Sequence, residues 1–440
     1  MKAGMTHQKR QSIGQSPSLD RFRLIAAILV IAIHTAPLAD LWPAGDFWLT
    51  RCLARIAVPF FFMTTGYFLM PRPGSFSPRS FLRRAGKLGR IYVVAILLYL
   101  PLNIYSGQLE LSHPIRWLIF DGTFYHLWYL PAAILGLAII FAVAWIFLKC
   151  AVLAKNREAA PAPKRRKTAA PPRRRGPAAA KHPAPTAARQ ASAVCLAVGL
   201  LLYIPGLLGD SYYGLTEGIP ALKSLYSCIF NISSYTRNGI FFAPVFISLG
   251  WFIREHPLRR KKSFRSLRKG YGSAALLLLG VMSLEALTLH KLSWQRHDSM
   301  YLLLPPLMYT LFHWLLAFGP PGFKRRNPRT VRPVEGSFAS EGHRPHPEQC
   351  KTRWSTRRPP AGRHRFYADI SLYIYLLHPW VIVLIRGAAK VTQLEWLLVQ
   401  PSLIHFMAVT LLSCLLSVIL WKIKQPLSTA ASVGKLTKRP

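Results

Sequence analysis

Acidic side chains are scarce in this chain. Its 440 residues hold 16 Asp and Glu against 57 Lys and Arg, a formal charge of +41. An excess of that size alone suggests nucleic acid as a partner. The basic stretches have few aromatics, however, and single-strand platforms need them. Their charge also lies between long apolar runs, so no nucleic-acid partner is expected. Cysteine is sparse too: Cys52, Cys150, Cys195, Cys228, Cys350 and Cys414. Most sit in or beside apolar runs, with no CxxC or ligand spacing, which argues for packing as small hydrophobes over zinc or a disulfide framework. His343 and His346, in HRPHP, lack a full ligand set, and no metal site is expected. The N-terminus has no AxA-type cleavage site after its first apolar run, so that run is read as a retained span.

Long apolar runs are what the sequence has in abundance. Candidate spans fall at about 22–38, 52–70, 88–106, 126–148, 192–208, 237–253, 272–290, 298–318, 367–386 and 402–421. Each is near the length a helix needs to cross hydrocarbon. The expected fold is an all-α polytopic membrane protein of about ten transmembrane helices. Residues 219–232 read as a short re-entrant or surface helix. The expected organisation is a tail at 1–21, a membrane domain at 22–425 and a tail at 426–440. Basic, Pro-rich loops interrupt the domain at about 150–191 and 319–366. Such loops cannot build a core, read as disordered tethers and can touch anionic lipid.

Charge placement gives an orientation. With the N-terminus inside, the inner segments hold more than forty Lys and Arg, and the outer ones only a handful. That bias predicts an even number of spans with both termini cytoplasmic.

The first span organises the reading. From Phe22 to Leu38 its only ionisable side chains are Arg23 and His34, eleven residues apart. At about 100° and 1.5 Å per residue they share one helical stripe, about 16 Å apart. Such a pair at lipid depth needs a face turned to protein or to a polar cavity. His34 is read either as a base for an acceptor hydroxyl or as a satisfied interhelical residue. Arg83, Lys87 and Arg90 fall at i, i+4 and i+7, with Arg84 beside them. They serve as inner-face anchors or as a grip on phosphates. Arg55, Thr64, Thr65 and Gly66 interrupt a second apolar run, where Gly66 permits close helix packing. His126 begins the fourth span near Trp128 and Tyr129. Asp298 is an outer-side acid able to orient a histidine. Glu285, inside the seventh span, must be paired, protonated or facing water. Ser371, Tyr375 and His378 lie close to one face of the ninth. Histidines in spans one and nine, with Arg23 and Glu285, suggest a polar interior.

These segments resemble signatures of the acyltransferase 3 family. LDRFRLIAAILVIAIH is similar to its first-helix signature, which falls on Leu19, Asp20, Arg23 and His34. FFFMTTGYFL is similar to its second-helix phrase, with Thr65 where the family usually has Ser. SFLRRAGKLGRIY, YHLWYLPA and SLYIYLLHP resemble later motifs. They also resemble the membrane domain of serine/alanine racemases linked to glycopeptide resistance. Because the sequence ends at Pro440, no racemase activity is expected. The resemblance implies a membrane-bound O- or N-acyltransferase. It would move an acyl group, acetyl in the first instance, from cytoplasmic acyl-CoA to a cell-envelope sugar, peptidoglycan or small-molecule acceptor. No tightly bound cofactor is implied. His34, Arg23, His126, Glu285 and His378 would carry catalysis, and Arg83, Arg84, Lys87 and Arg90 would hold the donor. The other reading is a transporter of a small polar solute such as serine, although no inverted repeat is evident.

Overall fold

The computed structural model describes residues 16–72, 75–110, 112–158, 185–257, 264–318 and 362–436. We label its main helices α1 (Pro17–Thr35), α2 (Pro43–Leu69), α3 (Pro78–Tyr105), α4 (Tyr129–Glu158), α5 (Pro185–Leu208), α6 (Pro220–Ile232), α7 (Ala243–Glu255), α8 (Phe264–Lys291), α9 (Leu304–Leu316), α10 (Gly362–Val391) and α11 (Ser402–Leu436). The fold is all-α. Seven of the described helices are long and apolar enough to cross a membrane: all but α1, α6, α7 and α9. The chain is therefore a multi-pass membrane protein.

A helix occupies each of the ten expected positions, but the count of ten spans does not follow from them. α7 and α9 have only 13 residues each, about 20 Å of rise, against roughly 30 Å of hydrocarbon. Protein surrounds both. Every residue of α7 from Ala243 to Trp251 is buried, and α7 packs on α2, α4, α5 and α9. The residues that lengthened these runs in sequence are turns. Asn238 holds one of them, its Oδ1 accepting from the N–H of Ile240 (2.9 Å) and Phe241 (3.1 Å).

Other boundaries move for local reasons. α1 starts at Pro17 rather than at residue 22, with proline in the first turn where its missing N–H costs nothing. Leu19 and Asp20 are buried, and Ser18 Oγ donates to the Leu315 carbonyl at 2.6 Å. α11 runs to Leu436, past the expected boundary at 425. α4 continues to Glu158 and α5 opens at Pro185, which narrows the first Pro-rich loop. The remainder of both loops, with His343 and His346, lies outside the described residues.

α1 joins two packing regions. Leu19, Phe22, Ala26 and Val30 belong to the main core with Phe60, Phe62, Phe246, Trp251 and Phe312. Ala27 and Ile31 turn the other way, onto Ile374 and Val381 of α10 and Val409 of α11. Leucines and valines on α3, α8 and α11 point outward, among them Val94, Leu97, Leu277 and Leu411. That pattern suits a lipid-facing rim around a protein-filled centre.

Candidate functional site

α1 carries His34 to its last turn, where the imidazole meets residues from two other elements. Its ring stacks on His378 of α10, with centroids 5.5 Å apart and planes 27° apart. It also lies edge-on to Tyr125 at 4.7 Å. His378 is in turn 5.4 Å from His126. His126 is not helical: it sits in the turn before α4, tightened by a Leu127 N–H to Phe124 carbonyl bond of 2.8 Å. Three of the sequence-predicted residues are thus brought together.

Pro379 cannot donate to the carbonyl of Tyr375, which loosens α10 at this turn. One residue earlier, His378 Nδ1 lies 3.0 Å from the Ile374 carbonyl. A carbonyl only accepts, so Nδ1 carries the proton of the neutral ring and Nε2 is left as the acceptor. That Nε2 is buried without a hydrogen-bond partner, as are both nitrogens of His126. Tyr375 OH donates to the His126 carbonyl at 2.6 Å and fixes the turn to α10. The Tyr99 and Tyr375 rings close round His126 at 4.8 and 5.2 Å.

His34 also lines a cavity of about 270 Å³ with Ile33, Ala36, Asp46, Thr50, Arg51, Arg55 and Arg237. α2 supplies four of these residues: Asp46 from its first turn, and Thr50, Arg51 and Arg55 from an irregular stretch, a π turn at Trp48–Cys52 followed by a 3-10 turn at Leu53–Ile56. Pro59 offers no N–H to the Arg55 carbonyl, which leaves that carbonyl without its regular helical partner where the irregular stretch ends. Arg237 was not singled out from the sequence. It lies in the connection between α6 and α7, where no helical periodicity marks it.

The opposite end of α1 holds Arg23. It pairs with Asp20 at 2.8 Å, lies 5.1 Å over the Phe68 ring, and has a side chain only 18% exposed. It is therefore turned to protein, as is His34. Between the two levels stand Tyr129 and Tyr375, with ring centroids 5.7 Å apart, and Thr65, whose Oγ1 is 3.5 Å from the Tyr129 hydroxyl. Near Phe68 the last carbonyls of α2 are capped by cations. Arg84 donates to Leu69 O (2.6 Å), and Arg254 donates to Tyr67 O (3.1 Å) and Met70 O (2.8 Å). Arg84 thus has a structural partner. Arg83, Lys87 and Arg90 are exposed along one side of α3. They are available to a ligand at the same end as Arg23.

Two acids are placed apart from the histidines. Glu285 accepts from Tyr212 OH (2.8 Å) and from the N–H groups of Leu302 (2.6 Å) and Leu303 (3.2 Å). It ties α8 to the start of α9. Asp298 pairs with Arg51 rather than with a histidine. We expect Glu285→Ala to destabilise the protein by about 1–3 kcal/mol, since two amides and a hydroxyl lose their acceptor. Glu285→Gln should keep most of that stability, and thermal unfolding in detergent checks both. At this end, burial pushes the Asp210 carboxyl up to about 6, against the Ser299 bond, the Arg237 charge and the bonds from Ser211 and Met300. Burial, then Arg237 and Arg296, lowers His297 to about 4. His297 thus adds no charge near neutral pH. Among the described residues, no group of three or more His, Cys, Asp or Glu is arranged to hold a metal ion.

Comparison with known proteins bears on this arrangement. The chain is 35% identical over 414 residues to an amino-acid racemase of Enterococcus faecalis, covering 91% of this chain and 44% of that protein. It is 30% identical over 410 residues to a serine/alanine racemase of Enterococcus gallinarum, covering 91% and 45%. The chain thus spans somewhat under half the length of these relatives, and is related to their membrane domain. No solved structure matches. The family model described as an acyltransferase domain matches residues 16–422. With nearly the whole chain inside that match, and its histidines and Arg23 turned inward on the matching segments, the protein belongs to the acyltransferase 3 family.

Proposed function

We propose that the protein moves an acyl group from acyl-CoA, bound at the Arg23 end, to a hydroxyl or amine that enters at the His34 end. The observation that carries this reading is the position of His34. It lines the cavity on one side and stacks on His378 on the other, while α1 links it to a basic end about 16 Å away. Exposed Arg83, Lys87 and Arg90 would hold the phosphates of the donor, and the pantetheine arm would carry the thioester inward past Arg23, Thr65 and Tyr129. At the histidines, the acceptor oxygen or nitrogen attacks the thioester carbonyl carbon. The new C–O or C–N bond forms and the C–S bond breaks; His34 takes the acceptor proton and gives it to the CoA thiolate as it leaves. The acceptor in this reading is a cell-envelope sugar, peptidoglycan or a small amphiphile, and the basic end faces the cytoplasm.

Acetyl-CoA turnover by membrane vesicles, with and without added acceptor, tests the reading. Replacing Arg83, Lys87 and Arg90 together by glutamine should raise the KM for acyl-CoA about tenfold or more, because three charge-assisted contacts are lost. Its kcat should change less. An unchanged KM would remove the donor site from this face. The likeness to proteins named amino-acid and serine/alanine racemases favours a second reading, uptake of a small polar solute such as serine. Saturable uptake of labelled serine, with no acyl-CoA turnover, would establish that reading in place of the first.

A further inference from the structure

The cavity beside His34 has a feature that acyl transfer alone does not call for. Three guanidinium groups, Arg51, Arg55 and Arg237, share its wall with one carboxylate, Asp46. Arg51 is matched by Asp298. Arg55 and Arg237 form no ion pair within 4 Å, although Asp298 lies near the first and the buried Asp210 near the second. The Nε of each is buried without a hydrogen-bond partner, and a buried donor left unpaired is costly. Arg237 is nevertheless held firmly. Its guanidinium lies 4.3 Å over the Tyr235 ring and 5.4 Å over Trp128, and one Nη donates to Ser299 Oγ at 3.2 Å. The nearby Asp210 turns Oδ1 to the amides of Ser299 (2.8 Å) and Met300 (3.0 Å), and it is not among the cavity-lining residues. Asp46 is partly engaged, accepting from the Leu38 N–H at 3.0 Å.

We propose that this cavity is a binding site for a small monocarboxylate, whose oxygens are taken by Arg55 and Arg237. A carboxylate presents two acceptors in the spacing a guanidinium fork matches. Asp46 on the same wall makes a dianion such as phosphate unfavourable, because it sets like charge against the second negative charge. The volume of about 270 Å³ lies just below the usual range for drug-sized ligands, so the occupant is a small acid. His34 on the same wall faces any hydroxyl or amine that acid carries. The inference rests on the reading that the acceptor enters at the His34 end, and it gives that acceptor a chemical class.

The test measures binding alone, so its failure is distinct from failure of acyl transfer. Thermal unfolding of the detergent-purified full chain is followed in L-lactate, in lactamide (the uncharged analogue) and in phosphate. Lactate at ten times its Kd should raise the midpoint by about 2 °C or more. Lactamide should have no effect, and any shift from phosphate should persist in Arg55→Gln and Arg237→Gln, because phosphate is held at Arg83, Lys87 and Arg90. The lactate shift should vanish in Arg237→Gln and Arg55→Gln. Where a glutamine variant fails to fold, Arg55→Lys or Arg237→Lys keeps the charge but loses the fork, and should weaken lactate binding about tenfold. Equal shifts from lactate and lactamide, a phosphate shift that is lost in Arg55→Gln and Arg237→Gln, or lactate binding undiminished in all the variants would overturn the assignment.

Discussion

His34→Ala is expected to abolish most acyl-CoA-dependent acylation, a loss of about 10²–10⁴-fold in kcat, while the protein still folds. The two halves of this prediction have separate grounds. The imidazole is half-buried at the edge of a cavity, and its neighbours Tyr125 and His378 contact it through ring faces and edges. Deleting it enlarges an existing space rather than opening a new one in the core. His126 is different. It is buried on all sides by Tyr99, Tyr125, Tyr375 and His378. His126→Ala should therefore lower the thermal midpoint as well as turnover. His34→Gln separates shape from proton transfer: an amide fills the space and hydrogen-bonds, but does not take a proton at neutral pH. It should be as inactive as the alanine variant. Wild-type turnover in His34→Gln would show that His34 positions the acceptor and that the proton goes elsewhere.

His34 was legible because helical geometry is strict. Once the first apolar run is a helix, a spacing of eleven puts Arg23 and His34 on one stripe, and both are turned inward in the structure. His378 was legible for the same reason, through its place with Tyr375 on one helical face. What sequence did not give was the third direction. That His126 from a turn reaches the same point depends on how α4 packs against α3 and α10, which no local pattern encodes. Arg237 was missed because a residue in an irregular connection has no period to betray it. Arg55 did carry a signal, a cation in an apolar run. For Glu285 the sequence leaves pairing, protonation and contact with water open; the structure shows pairing, and the N–H groups of Leu302 and Leu303 are ones that only the folded chain brings near. Hydropathy starts the spans at 237–253 and 298–318 too early, because apolar turns and apolar helices look alike to it. The side chain of Asn238 is what makes the difference at the first of them.

Gly66→Leu and Gly250→Leu are each expected to leave no detectable folded protein by size-exclusion chromatography. α2 and α7 cross so closely that their backbones touch on both sides. A Cβ built on Gly66 would fall on the carbonyl of Ile247, and one built on Gly250 would fall on the carbonyl of Met63. Neither obstacle is a flexible side chain that can turn aside. Both are main-chain atoms of helices already held in the core by Phe60, Phe62, Phe246 and Trp251. Even Gly66→Ala must push the two helices apart and lose contact along their length, at a cost of about 1–3 kcal/mol. In Gly66→Leu the whole side chain must find room, and a cost above about 4 kcal/mol is comparable to the entire stability of many domains. The same substitutions elsewhere provide the control. At Gly86 and Gly280 a Cβ would meet nothing within 4 Å, and alanine is the better helix former, so Gly86→Ala and Gly280→Ala should be neutral or slightly stabilising. The contrast matters for function because α2 carries Arg51 and Arg55 to the cavity. A Gly66→Ala protein that folds but binds its acceptor poorly would show that the crossing of α2 and α7 sets the position of those arginines. Normal binding would make the crossing purely a matter of stability.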